Sequence, residues 1–195
     1  MRNNRLASFA ALFLAVGSSS LALGAPDSFK IDPIHSDVVF TIKHLASRPS
    51  GVFRAPEGTV VQDGGVPALD VSLPLDKLDM GNKKWETDLK SASWFDEKQF
   101  PTITFKTTAV KKLGKNPETG DFDFEATGDL TLHGVTKSIT VTLNKLGEEK
   151  GMKGELHIGY QCMFKINRSD FGMTTMKGPI GDEVSLHVNI EAVPG

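Results

Sequence analysis

Between Gly128 and Asn144 the chain alternates apolar and polar residues in two runs that meet at a glycine-containing turn. Leu130 and Leu132 alternate with Asp129 and Thr131, and Ile139, Val141 and Leu143 alternate with Thr140, Thr142 and Asn144. A period of two sends successive side chains to opposite faces of a strand, so each run has one apolar and one hydroxyl-rich face. His133-Gly134-Val135-Thr136 lies between them. Gly134 as the first of two central residues predicts a type II′ hairpin turn. The matching register pairs Leu130 with Ile139 and Thr131 with Ser138. A slip of one residue would mix the two faces, so the pattern commits this part of the chain to an antiparallel pair.

The same style recurs on both sides. Phe29 to His44 reads as extended, with Phe29 and Ile31 on one parity and Ile34, Val38, Phe40 and Ile42 on the other. The switch falls at Asp32-Pro33, where a residue without an N–H predicts a bend. Further strands are expected over Gly51 to Gln62, Ala68 to Leu75, from Thr102, from Phe122 to Leu132, from Leu156 to Ile166 and from Val184 to Ile190. With the hairpin's second run they make eight. Alternating antiparallel strands suit a sandwich or a closed barrel. Strands of more than ten residues favour a tall barrel, and eight strands leave room for side chains or one small ligand. The expected fold is therefore all-β, an eight-stranded antiparallel barrel.

Met80 to Phe100 breaks the alternation. Asn82 is a candidate cap for a short helix carrying Trp85 and Leu89, with Trp94, Phe95 and Phe100 beyond it. Both tryptophans lie here, and the segment reads either as a lid over one end of the sheet or as an ordinary packed crossover.

Residues 1–24 have a basic start (Arg2, Arg5), an apolar run from Leu6 to Val16, and small residues Ala22 and Gly24 before the expected cleavage site. This is the pattern of a secretory signal peptide, and the run is shorter than the roughly 20 residues of a spanning helix. One domain over 25–195, periplasmic or secreted, is expected. The formal charge of −2 belongs to the whole chain, and losing Arg2 and Arg5 makes the mature protein more acidic. That balance argues against nucleic acid and against anionic lipid surfaces as partners. The single Cys162 rules out an internal disulfide and reads as a packed thiol.

Five histidines test for metal or catalytic chemistry. His157 and His187 have outward parity, His133 sits at a turn, and only His35 and His44 are near one another in sequence. No zinc, haem, Walker or dinucleotide motif appears, so no metal, cofactor or catalytic residue is assigned. Asp32, His35 and Ser36 resemble a catalytic trio only in residue type, and His35 and Ser36 are expected to satisfy backbone groups beside the Pro33 bend. Arg168 and Asp170 end a strongly apolar strand. They are expected to pair with each other or a buried polar group, or Arg168 to hold a polar or anionic head group.

Asp32-x-x-His35-Ser36 leading to Phe40 and His44, Gly51-Val52-Phe53, Phe100 to Phe105, Gly128 to Thr136 and Arg168 to Met173 occur in this order. Together they resemble the signatures of the YceI-like family of exported bacterial lipid-binding proteins. The resemblance implies a lipocalin-shaped barrel whose apolar channel binds a polyisoprenoid or related long-chain amphiphilic lipid, without catalysis. Many relatives carry a histidine where this chain has Asp88, so head-group preference is not carried over. A homodimer and a membrane-protein partner stay open. So do two other readings: an exported enzyme acting on such a lipid through His35 or His44, and an accessory protein.

Strand parity supplies the candidate lining. Phe40, Ile42, Phe105, Phe124, Leu130, Val141, Tyr160, Phe164 and Leu186 are expected to face the lipid tail, with Ala126 leaving room among larger residues. Trp85 and Trp94 are expected to close one mouth, with Arg168 near the head group. Burying one five-carbon isoprene unit at about 0.8 kcal/mol per methylene is worth roughly 3–4 kcal/mol gross, so the tail would dominate affinity.

Overall fold

A computed structural model describes residues 27–195; the expected signal peptide lies outside the described residues. The chain forms a closed antiparallel barrel of eight staves. The first stave is β1 (Asp27–Ile31) and β2 (Asp37–His44), and the second is β3 (Ser50–Arg54) and β4 (Glu57–Asp63). Then come β5 (Val66–Pro74), the two-residue β6 (Leu78–Asp79), β7 (Thr102–Lys115), β8 (Phe122–Leu132), β9 (Val135–Lys150), β10 (Leu156–Asn167) and β11 (Ile180–Pro194). Neighbours in sequence pair around the ring. β11 closes it by pairing with both β1 and β2, while β6 adds a short rung to β3. Full closure removes the exposed edges that an open sheet would present.

The first stave breaks where Pro33 predicts it. Asp32 Oδ1 accepts from the Ile34 N–H, making a tight local turn. Ser36 Oγ accepts from the Glu191 N–H and donates to the Glu191 carbonyl, stitching the bend to β11. Phe29 and Ile31 are buried before the bend and Val38 and Phe40 after it, so the change of parity turns both halves inward. Ile34 leaves the apolar face to which its parity assigned it and stands 84% exposed, because the turn itself carries it outward.

The central hairpin keeps its predicted faces and changes its turn. Leu132 pairs with Val135, so the two central residues are His133 and Gly134, and Leu130 faces Lys137 instead of Ile139. Both have positive φ, 51° and 73°, the pattern of a type I′ turn. A shift of two residues preserves parity, so Leu130, Leu132, Val141 and Leu143 are still buried. His133 tolerates the left-handed region better than most residues and is held there. Its Nδ1 lies 3.2 Å from the Phe171 carbonyl, and its ring packs edge-on against Phe100. A Cβ on Gly134 would come within about 2.5 Å of the Phe100 ring. Gly134→Ala is therefore expected to destabilise the barrel by about 1–3 kcal/mol, combining left-handed strain with displacement of Phe100. The shift of the urea midpoint against wild type measures it.

Asn82 caps the short helix α1 (Lys83–Lys90) as expected, its Oδ1 accepting from the N–H groups of Lys84 and Trp85. Glu86 is buried, pairs with Lys83 at 2.8 Å and accepts from the Met80 N–H, which locks the helix onto the chain entering it. The segment beyond α1 drops Phe95 onto Phe53 in an edge-to-face contact with centroids 5.8 Å apart. Lid and core thus share one apolar cluster.

Candidate ligand cavity

The eight staves leave a cavity of about 650 Å³ in the barrel, within the roughly 300–1,000 Å³ of ordinary ligand pockets. Its wall is overwhelmingly apolar. Phe40, Ile42, Phe105, Ala126, Leu130, Val141, Tyr160, Phe164 and Leu186 line it from the strands, Trp85 and Trp94 from the lid segment, and Arg168 from the loop after β10. Phe124, expected among them, does not line it. It shares the inward parity of Ala126 but sits farther along β8, paired between Lys112 and Leu143 and 1% exposed, where the barrel is filled by side chains. Period two fixes the face of a residue, not its height along the barrel. Val71, Leu73, Ile103 and Phe53 also line the cavity, and their inward parity on β3, β5 and β7 is the signal that could have found them.

Tyr160 is fully buried, and Gln62 Nε2 donates to its hydroxyl at 3.0 Å. Gln62 also reaches Glu148, which pairs with Lys145 at 2.7 Å. Burial, then the Glu148 charge, pushes the Tyr160 phenol up, so it is a neutral wall with a satisfied polar tip. Cys162 also lines the cavity, and burial pushes its thiol up to about 12, which makes it inert as a nucleophile. The packed-thiol reading fits this environment.

At the opposite end the lid lies across the mouth. Trp85, Leu89, Trp94 and Phe95 line the cavity, as do Asp88, Ser91 and Ser93. The loop between β10 and β11 meets the lid where Thr175 Oγ1 donates to the Ser93 carbonyl at 2.6 Å. Arg168 organises that loop. Only 3% exposed, it donates from Nε to the Gly181 carbonyl, from Nη1 to Met173 and from Nη2 to Ile180, and its guanidinium lies over the Trp94 ring. It forms no ion pair with Asp170, the first partner the sequence suggested; the buried polar partners are backbone carbonyls. Desolvation lowers the Arg168 pKa from its ordinary value, opposed by the nearby Asp182 charge.

Asp182 accepts from the Ser169 hydroxyl at 2.6 Å and from the Ser169 N–H at 2.9 Å. These bonds hold its carboxyl below the ordinary 3.8. A carboxyl whose folded pKa is depressed stabilises the fold above the unfolded value, and the contribution is lost as pH falls through the folded one. Stability is therefore expected to decline below about pH 4, with Asp182→Asn less sensitive over that window. Urea midpoints measured against pH in both proteins check this.

The histidines separate. His44 lines the cavity near its mouth, whereas His35 stands at the other end of β2, with Nδ1 2.8 Å from Asp32 Oδ2 and 3.6 Å from Glu191 Oε1. His157, outward by parity, joins that group: its Nδ1 lies 2.7 Å from Glu191 Oε1. Strand adjacency of β10 and β11 brings them together, a neighbour relation invisible in either strand alone. Placed at opposite ends of one strand, His35 and His44 do not form a joint site.

A model of the YceI-like domain matches residues 29–192. This chain belongs to the YceI-like family. Within it, Protein YceI of Salmonella agona is 33% identical over 200 residues, covering 99% of this chain and 98% of the relative. The YceI-like barrel also superposes on BcnA of Burkholderia cenocepacia with a TM-score of 0.71 at 22% identity, covering 83% of this chain and 98% of BcnA. A polyisoprenoid binding domain from Saccharophagus degradans, implicated in plant cell wall breakdown, gives 0.64 at 13% identity over 86% of this chain and 98% of that one. At these identities the two solved structures establish the shared barrel, and the YceI-like match fixes the family.

Proposed function

We propose that this protein is an exported carrier that holds a polyisoprenoid or similar long-chain amphiphile in its barrel. The observation that carries the reading is the apolar cavity of about 650 Å³, walled by strands and covered at one mouth by the tryptophan-bearing lid. A flexible hydrocarbon chain suits such a wall, because its affinity comes from burial and needs few directional partners. The polyisoprenoid-binding structural relative supports the same ligand class. The polar residues that line the cavity, including Asp88, Ser91, Arg168 and Thr175, include groups on the lid and the β10–β11 loop and suit a head group at the mouth. Export follows from residues 1–24, with release into the periplasm or beyond. The reading requires neither a cofactor nor catalysis.

A series of polyprenyl alcohols of increasing length, titrated into delipidated protein, tests it. Affinity is expected to rise at least about tenfold per isoprene unit, the net left from roughly 3–4 kcal/mol gross after ordering costs, and to level off once the cavity is full. Affinity independent of length would overturn chain binding. Recovery of chemically altered alcohol would favour the enzyme reading instead.

A further inference from the structure

A carrier for a water-insoluble chain has to receive it, and the rim of the mouth has unusual chemistry for a surface. Of the exposed large apolar side chains, Leu45, Trp85 and Met176 stand around this mouth, 63%, 44% and 53% exposed. Trp85 and Met176 line the cavity itself, and Leu45 follows the cavity-lining His44 and donates its N–H to the Pro179 carbonyl. Leu45 and Met176 also have positive φ, 50° and 51°. Bulky residues seldom occupy that region, and strain of this kind concentrates at functional sites. The backbone at both positions is strained while the apolar side chain stands in water, an arrangement that serves neither packing nor solubility.

Cations surround these side chains. Lys43 lies beside Gly181, Arg48 lies in the same turn as Leu45, and Lys177 follows Met176. All three are exposed, and among the described residues none makes an ion pair. Two of the neighbouring acids are neutralised by other cations, Asp88 by Lys84 at 2.7 Å and Glu183 by Lys165 at 2.8 Å, whereas Asp182 bonds only to the neutral Ser169 and keeps its charge. Asp170 and Asp182 are left without a salt-bridge partner, so the three cations exceed these two acids by one. The net acidic chain argued against anionic lipid surfaces, but net charge averages over the whole molecule, whereas a bilayer meets only the face turned towards it.

We propose that the cavity mouth docks on an anionic lipid bilayer, with Leu45, Trp85 and Met176 entering the head-group region and Lys43, Arg48 and Lys177 facing its phosphates. The proposal rests on the carrier reading and adds where the ligand enters. Apolar side chains ringed by cations are the general chemistry of interfacial binding, and the cations confer a salt-sensitive preference for anionic lipid.

Flotation of the mature protein with vesicles tests it, using phosphatidylcholine alone and phosphatidylcholine mixed with phosphatidylglycerol. Binding is expected to be about tenfold tighter to the anionic vesicles and to fall as salt is raised. Arg48→Gln with Lys177→Gln should abolish most of that preference. Leu45→Asn should weaken binding about tenfold, and because asparagine tolerates positive φ the barrel should melt no lower than wild type. Leu45, Arg48 and Lys177 do not line the cavity, so polyprenol affinity in the absence of vesicles should not change. Absence of flotation, or flotation that none of these variants alters, would overturn the docking surface. A vesicle-indifferent protein that still binds polyprenol refutes docking alone, whereas docking by a protein that binds no polyprenol refutes the carrier reading alone.

Discussion

Replacing Ala126 with phenylalanine is expected to abolish most long-chain binding while the barrel stays folded. Ala126 lies on β8 between Val110 of β7 and Val141 of β9, with its methyl on the cavity wall and 1% of its surface exposed. A phenyl ring built there enters space that the cavity already provides, so it displaces ligand and spares the strands. Excluding about one isoprene unit removes roughly 3–4 kcal/mol of gross burial, a loss of at least about tenfold in affinity once the ordering cost is subtracted. If the space were instead part of a tightly packed core, the ring would overpack it and cost about 1–3 kcal/mol of stability. Melting and polyprenol titration on one sample separate the cases. A stable variant that binds its chain unchanged would mean that the chain does not pass Ala126.

Arg168→Met is expected to be the most destabilising change at the mouth. It strips the hydrogen bonds from the Gly181, Met173 and Ile180 carbonyls at once. Leaving a buried acceptor unpartnered costs about 1–3 kcal/mol, and removing a desolvated charge returns part of that sum. A net loss of roughly 2–4 kcal/mol follows, within the range of broken buried networks. Arg168→Lys is expected to recover little, since one ammonium cannot reproduce the planar fork that reaches three carbonyls. Urea unfolding gives the magnitude, and amide exchange over residues 173–181 locates it. Wild-type protection there in Arg168→Met would contradict the clamp.

How much of this was legible depends on how local each feature is. The eight strands and their inward faces were, because alternation is written residue by residue, and the length of the strands favoured a closed barrel over a sandwich. The break at Pro33 was legible for the same reason. The hairpin register was not. Glycine alone suggested a II′ turn, whereas His133 takes the first central position because Phe171 and Phe100, distant in sequence, hold its ring. Phe124 and Ala126 have identical parity and different fates, since depth along the barrel depends on strand tilt and on what fills each layer. Arg168 was legible as a buried cation needing partners, but its partners are carbonyls of a loop whose course no periodicity describes. The cations at the mouth were hidden by a net charge that sums over every face.

Native mass spectrometry of the mature protein, isolated from its own cells without detergent and followed by solvent extraction, tests the central claim most directly. One long-chain isoprenoid or similar amphiphile per barrel, released on unfolding and absent from Ala126→Phe, is the predicted result. A mature protein that carries no such chain, and takes none up from the cell's extracted lipids, would contradict the account.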